Sequence, residues 1–296
     1  MYDIIIIGAG IAGMTAAIYA KRAGKDVLLL DEISYGGQII NSNSVENYPG
    51  FKSISGYELA TSIFNQVQNF GVLFKMERVV NITETKEVIT TKNKYQAKAI
   101  IIASGLRHRK LGVLGEDEFL GKGVSYCATC DGNFYKNLDV CVVGGGNTAL
   151  EDALYLSNIC HKVYLIHRRD EVRGDKYLVD SLNKKNNISF IYNSLVKEIR
   201  GDDKVNSVLI FNKTSNEEFS LNVSGVFVAV GYEPSSNVFG DIISLDNHGY
   251  IASNDCTTNI SGIFVAGDVR SKKVRQLVTA SSDGAIAASL AVSYLK

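Results

Sequence analysis

Residues 3–32 read DIIIIGAGIAGMTAAIYAKRAGKDVLLLDE, and residues 139–169 read DVCVVGGGNTALEDALYLSNICHKVYLIHRR. The second stretch repeats the first at an offset of 136 residues: Asp3 falls on Asp139, Gly8 on Gly144, Gly10 on Gly146, Tyr19 on Tyr155 and Leu29 on Leu165. Each copy is an apolar run, a glycine-rich turn, a helical pattern and a second apolar run. That order predicts a βαβ unit with a dinucleotide fingerprint. The first glycine permits the tight turn, and the second lets backbone approach a pyrophosphate. The third position must be small for the helix to pack on the sheet; it is Gly13 in one copy and Ala149 in the other. The helix N-terminus, at Asn147 and Thr148 in the second copy, then offers unpaired N–H groups to phosphate. One such motif can be a purely structural turn. Two at one offset predict an α/β fold with two Rossmann-like dinucleotide-binding domains.

The copies differ at the end of the second strand, where an adenosine ribose is met. In the first copy this residue is Asp31, 23 residues after Gly8. A carboxylate there accepts from ribose hydroxyls and repels a 2′-phosphate. In the second copy it is His167, followed by Arg168, Arg169 and Arg173. Such a cluster suits a 2′-phosphate through charge-assisted hydrogen bonds, so this site is expected to prefer NADPH. A solvated basic turn is the alternative. Two further segments have the form of cofactor contacts. AIIIASG, residues 99–105, is an apolar run ending at Gly105, and GIFVAGDV, residues 262–269, ends in Gly267-Asp268 with Arg275 and Gln276 following. Asp268 by itself could equally cap a helix.

With 296 residues the chain is long enough for two domains, and 46% apolar residues give each a core. Lys plus Arg equals Asp plus Glu at 31 each, so no global field recruits nucleic acid or anionic membrane. The apolar stretch 4–20 follows an aspartate and is broken by glycines at 8, 10 and 13, unlike a signal peptide or a membrane span. A soluble cytoplasmic protein is expected.

There are five cysteines, of which only Cys127 and Cys130 are closely spaced. An odd count with one close pair is no secreted disulfide framework. The two-residue spacer permits cycling between disulfide and dithiol. Asp131, next in sequence, could exchange the proton that each step requires, or could open the Asp131-Gly132 turn. Zinc is the rival for the pair, but a structural zinc site needs four ligands and no second pair has suitable spacing. No metal is expected. Cys141 is read as core, and Cys160, Cys256, His108 and His248 as structural or surface residues.

The sequence resembles the low-molecular-weight bacterial thioredoxin reductases almost end to end. The resemblance is carried by Gly8-Ala-Gly10 to Gly13, Gly36-Gly37-Gln38, Glu46-Asn47-Tyr48-Pro49-Gly50 and Cys127-Ala-Thr-Cys130-Asp131-Gly132. It continues through Gly144-Gly-Gly-Asn-Thr-Ala149, His167-Arg-Arg-Asp-Glu-Val-Arg173, Gly267-Asp268 and Arg275-Gln276. It implies FAD in the first domain, NADPH in the second, a homodimer, and thioredoxin as acceptor. It implies flavin contacts at Gln38, Asn47, Val80, Asp268, Arg275, Gln276 and Leu277. It also implies that the FAD domain, residues 1–110 and 241–296, is interrupted by an NADPH domain, residues 111–240. Electrons would pass from NADPH to FAD, to the Cys127–Cys130 disulfide, and to thioredoxin. The nicotinamide and the cysteines would then both have to reach one flavin, so a rotation about hinges near 110–115 and 233–240 is expected. Another small redox protein as acceptor, or a non-enzymatic redox sensor, are the competing readings.

Overall fold

A computed structural model describes residues 1–42 and 44–296. The chain forms two compact units, Met1–Arg107 with Glu233–Lys296, and His108–Tyr232.

In the first unit, β1 (Tyr2–Ile7) leads through the Gly8 turn into α1 (Ile11–Arg22), and β2 (Val27–Asp31) returns parallel to β1. Gly8 sits at φ +105°, and a Cβ there would overlap the Ala103 carbonyl, so only glycine fits. Then come α2 (Gly56–Asn69), β3 (Leu73–Met76), and a meander of β4 (Val79–Ile82), β5 (Glu87–Thr90) and β6 (Lys94–Ile102). The start of β6 pairs antiparallel with β5, and its end runs parallel to β1. Alternation divides the core between the two faces of the sheet. Ile4 and Ile6 pack with Met14, Ala16 and Ala287, whereas Ile5 and Ile7 pack with Phe239, Ile243 and Ile251.

β7 (Leu106–His108) carries the chain into the second unit, which contains β8 (Val124–Ser125), α3 (Ala128–Asp131), β9 (Asp139–Gly144) and α4 (Asn147–Ser157). It continues with β10 (Lys162–Ile166), α5 (Lys176–Asn183), β11 (Ile188–Ile191), an antiparallel sheet of β12 (Ser194–Gly201), β13 (Val205–Asn212) and β14 (Glu217–Asn222), and β15 (Gly225–Ala229). The parallel sheet has the order β11-β10-β9-β15-β8. One face, through Val140 and Val142, packs on Ala149, Ala153 and Leu156 of α4; the other, through Cys141 and Val143, packs on Val208 and Ile210 of the antiparallel sheet. The two βαβ units share their register: Ile4 pairs with Val27 and Ile7 with Leu30, as Val140 pairs with Val163 and Val143 with Ile166.

β16 (Tyr232–Pro234) leads back to the first unit. There β17 (Ile263–Val265) adds parallel to β6, and α6 (Leu277–Tyr294) packs on α1 so closely that a Cβ on Gly284 would overlap the Ala12 carbonyl.

Candidate active site

The two fingerprint helices start differently from α2. The N-terminus of α2 is closed by a capping box of Ser55 and Glu58. The N-caps of α1 and α4 are Gly10 and Gly146, with no side-chain cap and no acidic residue in the first turn. Their first N–H groups are thus left for an outside acceptor. A Cβ on Gly10 or Gly146 would meet nothing within 4 Å, whereas one on Gly13 would overlap the Gly8 carbonyl and one on Gly144 would press on Ala149. The middle glycine of each fingerprint therefore faces open space, whereas Gly8, Gly13 and Gly144 are closed against the protein. This is the space a pyrophosphate requires.

In the second unit, the glycine turn opens into a cavity of about 440 Å³ lined by Gly144, Gly146, Thr148, His167, Arg168, Arg169 and Arg173, among others. Ser194, Leu195 and Val196 of β12 form part of its wall, a contribution with no local sequence signal. His167 is 7% exposed, and its Nε2 has no hydrogen-bond partner among the described residues. Burial, reinforced by the charges of Arg168 and Arg169, lowers its pKa and favours the neutral ring. The positive charge of the His167–Arg173 segment is therefore carried by its arginines and not by His167. Ala149 is fully buried against the sheet, and Asn147 is engaged with Asp175; neither lines the cavity.

In the first unit, Asp31 at the end of β2 accepts from the Ala9 N–H at 2.7 Å and the Ile33 N–H at 3.1 Å, which ties the strand end to the fingerprint turn. The Gly36 N–H donates to the Ala9 carbonyl at 2.8 Å, and a Cβ on Gly37 would lie 3.1 Å from Gly10 Cα. Gln38 Nε2 donates to the Leu106 carbonyl at 3.2 Å, and Asn47 Nδ2 to Gln276 Oε1 at 3.1 Å. Gly267, at φ +79°, brings its turn against Ala12 of α1, so the C-terminal segment reaches the fingerprint. Asp268 lies in that turn and is not the cap of α6, whose N-cap is Gln276 with Thr279. Asp268 Oδ1 is buried 3.0 Å from Lys272 Nζ and makes no hydrogen bond to the described residues. Arg275 Nε donates to the Asp268 carbonyl at 3.4 Å, and its guanidinium lies 4.0 Å over the Tyr250 ring. Leu277 opens α6. Gly105 adopts φ +65°, with its carbonyl accepting the Ser235 N–H. Val80 is the bulged residue of β4, outside the ladder with β5.

Cys127 and Cys130 form a disulfide, with Cα atoms 5.3 Å apart. Cys127 caps the one-turn helix α3, its Sγ accepting the Cys130 N–H at 3.2 Å. Asp131 ends that turn and is held by a residue two positions before the pair: Ser125 Oγ donates to Asp131 Oδ2 at 2.7 Å, and the Cys127 N–H donates to Ser125 Oγ at 3.0 Å. One buried hydroxyl thus fixes both the first cysteine and the carboxyl. Tyr126 is anchored in turn, donating to Glu116 Oε1 at 2.7 Å, while Glu116 also accepts the Leu111 and Gly112 N–H groups.

The other cysteines are set apart chemically. Burial pushes the thiol of Cys141 far up, that of Cys256 to about 12, and, with help from Asp139, that of Cys160 to about 11. Thiols held that high are not nucleophiles near neutral pH. Among the described residues no cluster of three or more His, Cys, Asp or Glu could hold a metal ion.

Sequence reading also missed a buried ionic group near the expected flavin contacts. Asp283 of α6 accepts Gly267 N–H, Arg270 Nε and Lys272 Nζ on Oδ2, and Arg270 Nη2 on Oδ1 at 2.9 Å. Burial alone would raise its pKa, but the bonds from Arg270 and Lys272 and their charges hold it below the ordinary aspartate value. The group braces the Gly267-Asp268 turn.

Two phosphate-ready turns, an arginine-lined cavity and a disulfide with an adjacent carboxyl together describe a dinucleotide-dependent disulfide enzyme. Comparison with known proteins agrees. Residues 2–284 match the family described as pyridine nucleotide-disulphide oxidoreductase. The chain is 44% identical to a thioredoxin reductase of Listeria innocua, covering all of this chain and 94% of that one. It is 42% identical to a thioredoxin reductase of Bacillus subtilis, covering all of this chain and 95% of the relative. The crystal structure of Lactococcus lactis thioredoxin reductase superposes with a TM-score of 0.89 at 41% identity, over 100% of this chain and 99% of that one. The chain belongs to the pyridine nucleotide-disulphide oxidoreductase family, on the branch of the low-molecular-weight bacterial thioredoxin reductases.

Proposed function

We propose that the protein is a thioredoxin-disulfide reductase that binds FAD in Met1–Arg107 with Glu233–Lys296 and NADPH in His108–Tyr232. The observation that carries this reading is the Cys127–Cys130 disulfide, built into the same unit as the arginine-lined fingerprint cavity. Bound in the first unit, FAD would supply the redox chemistry that links NADPH to the disulfide: acceptance of a hydride equivalent and delivery of two electrons. With two protons, the Cys127–Cys130 bond becomes two thiols. One sulfur, as thiolate, then attacks the acceptor disulfide; a mixed disulfide forms, and the departing acceptor thiolate takes a proton held at Asp131. The second cysteine displaces the remaining acceptor thiolate and restores the Cys127–Cys130 bond.

In the FAD unit, Gly10 admits the pyrophosphate, Gly8 and Gly13 build the tight turn and helix packing behind it, Asp31 meets the ribose, and Gln38, Asn47, Val80, Asp268, Arg275, Gln276 and Leu277 hold the rest. In the NADPH unit, Arg168, Arg169 and Arg173 hold the 2′-phosphate. A homodimer is part of the same reading, and a monomeric mass in solution would remove it. A cytoplasmic location is likewise part of this reading; no helix among the described residues is long and apolar enough to cross a membrane.

The test is an anaerobic titration with NADPH and, separately, NADH, followed by oxidised thioredoxin. Flavin bleaching by NADPH and its return on adding thioredoxin are expected; protein purified without flavin would end the reading. The double substitution Arg168→Ala and Arg169→Ala removes two charge-assisted donors. It should weaken NADPH binding about 100-fold or more while changing NADH binding little.

A protein acceptor is favoured by Phe134, which is 79% exposed four residues past Cys130. An exposed phenyl so close in sequence to the redox pair does nothing for a small disulfide but can anchor a protein partner. Phe134→Ala should raise KM for thioredoxin about tenfold and leave reduction of a small aromatic disulfide unchanged. Equal loss with both acceptors would argue for a structural role.

A further inference from the structure

Asp175 occupies the N-cap of α5, where an aspartate ordinarily turns back to accept from its own helix. Here its side chain makes no capping bond. Instead Asp175 Oδ2 accepts from Asn147 Nδ2 at 2.9 Å, and the Asp175 N–H donates to Asn147 Oδ1 at 2.8 Å. Asn147 is the first residue of α4, directly after the glycine turn. The paired bonds join the far end of the arginine loop to the helix whose N-terminus faces the cavity. A second tie lies two residues earlier, where the Arg173 N–H donates to the Gly145 carbonyl at 2.6 Å. Between the two ties, Gly174 lies against Leu150 and 2.9 Å from Asn147 Oδ1 measured from an added Cβ, so the loop rests directly on α4. At the near end, the His167 ring fills the space a Cβ on Gly145 would need.

We propose that the Asn147–Asp175 pair is a latch that positions Arg168, Arg169 and Arg173 for a 2′-phosphate, so that Asp175 is a specificity-determining positioning residue of the nucleotide site. The inference rests on the reading of this cavity as the NADPH site. Asp175 itself does not line the cavity, and its charge has the wrong sign to attract a phosphate. A helix gives up a cap of its own to hold a neighbouring loop. The neighbouring loop is the one whose arginines distinguish a phosphorylated from an unphosphorylated ribose.

The sign of the charge makes the test decisive. If Asp175 acted only through its field, removing the carboxylate would tighten binding of an anion nearby. If it acts as a latch, removal loosens the arginine loop and weakens binding of the 2′-phosphate specifically. The holoenzyme is titrated with 2′,5′-ADP and with 5′-ADP by calorimetry. The wild type should prefer 2′,5′-ADP. Asp175→Ala, which removes the carboxylate bond and leaves the backbone one, should weaken 2′,5′-ADP about tenfold, the size of one lost positioning hydrogen bond to a charged group, and change 5′-ADP less than about twofold. Asp175→Asn, which keeps an acceptor for Asn147 and loses only the charge, should restore the preference. Tighter or unchanged 2′,5′-ADP binding in Asp175→Ala, beside a discriminating wild type, overturns the latch alone. A wild type that binds both nucleotides equally overturns the NADPH reading, and the latch's role with it.

Discussion

Cys130→Ser should abolish NADPH-driven reduction of thioredoxin, by at least about a thousandfold, while NADPH still bleaches the flavin. The serine hydroxyl is close in size to the thiol but forms no bond to sulfur that can be exchanged. What remains is Cys127, able at most to form a mixed disulfide with a partner and unable to release it. The local fold should survive, because the contact that α3 uses is the backbone N–H of residue 130 donating to Cys127 Sγ, and that N–H is unchanged. Rapid mixing under anaerobic conditions separates the two half-reactions: flavin reduction by NADPH at the wild-type rate, then no reoxidation by oxidised thioredoxin. Turnover in the variant near the wild-type rate would show that another group carries the electrons. The buried thiols of Cys141, Cys160 and Cys256, all pushed well above neutrality, are poor candidates for that part.

Features set by local repetition were legible in the sequence. The 136-residue offset gave both βαβ units, and the structure repeats even their strand register, Ile4 with Val27 and Val140 with Val163. The arginine cluster was legible because the end of the second strand has a fixed distance from the glycine turn. Long-range contacts were not legible. Asp283 reads as a blemish in an alanine-rich helix until Arg270 and Lys272 fold onto it. Ser125 is an ordinary serine until a one-turn helix returns Asp131 to it. A fingerprint also counts positions without giving directions. Asn147 lies in the motif, yet its amide turns to Asp175, and Ala149 faces the sheet. The unused cap at Asp175 follows from that turn and cannot be seen in spacing.

The structure's arrangement at Asp131 leads to an equally definite expectation. Asp131→Asn should slow reoxidation of the reduced enzyme by thioredoxin about 100-fold or more, the size of a lost general acid–base group, with flavin reduction by NADPH unchanged. Asparagine has the shape of aspartate and can still accept the Ser125 hydroxyl hydrogen bond, so the turn and the disulfide should be undisturbed. What the amide lacks is the capacity to take up and return a proton on the residue that directly follows Cys130. Each acceptor disulfide that is cleaved leaves a thiolate, and without a nearby proton its departure is readily reversed. Ser125→Ala is the companion variant. It keeps the carboxyl and removes its orienting donor, so its rate should lie between the wild type and Asp131→Asn. If Asp131→Asn reoxidises at the wild-type rate, the proton comes from solvent, and Ser125 and Asp131 merely build the turn. If Ser125→Ala falls as far as Asp131→Asn, then holding the carboxyl in place matters as much as having it, and the buried serine belongs to the working centre alongside the two cysteines.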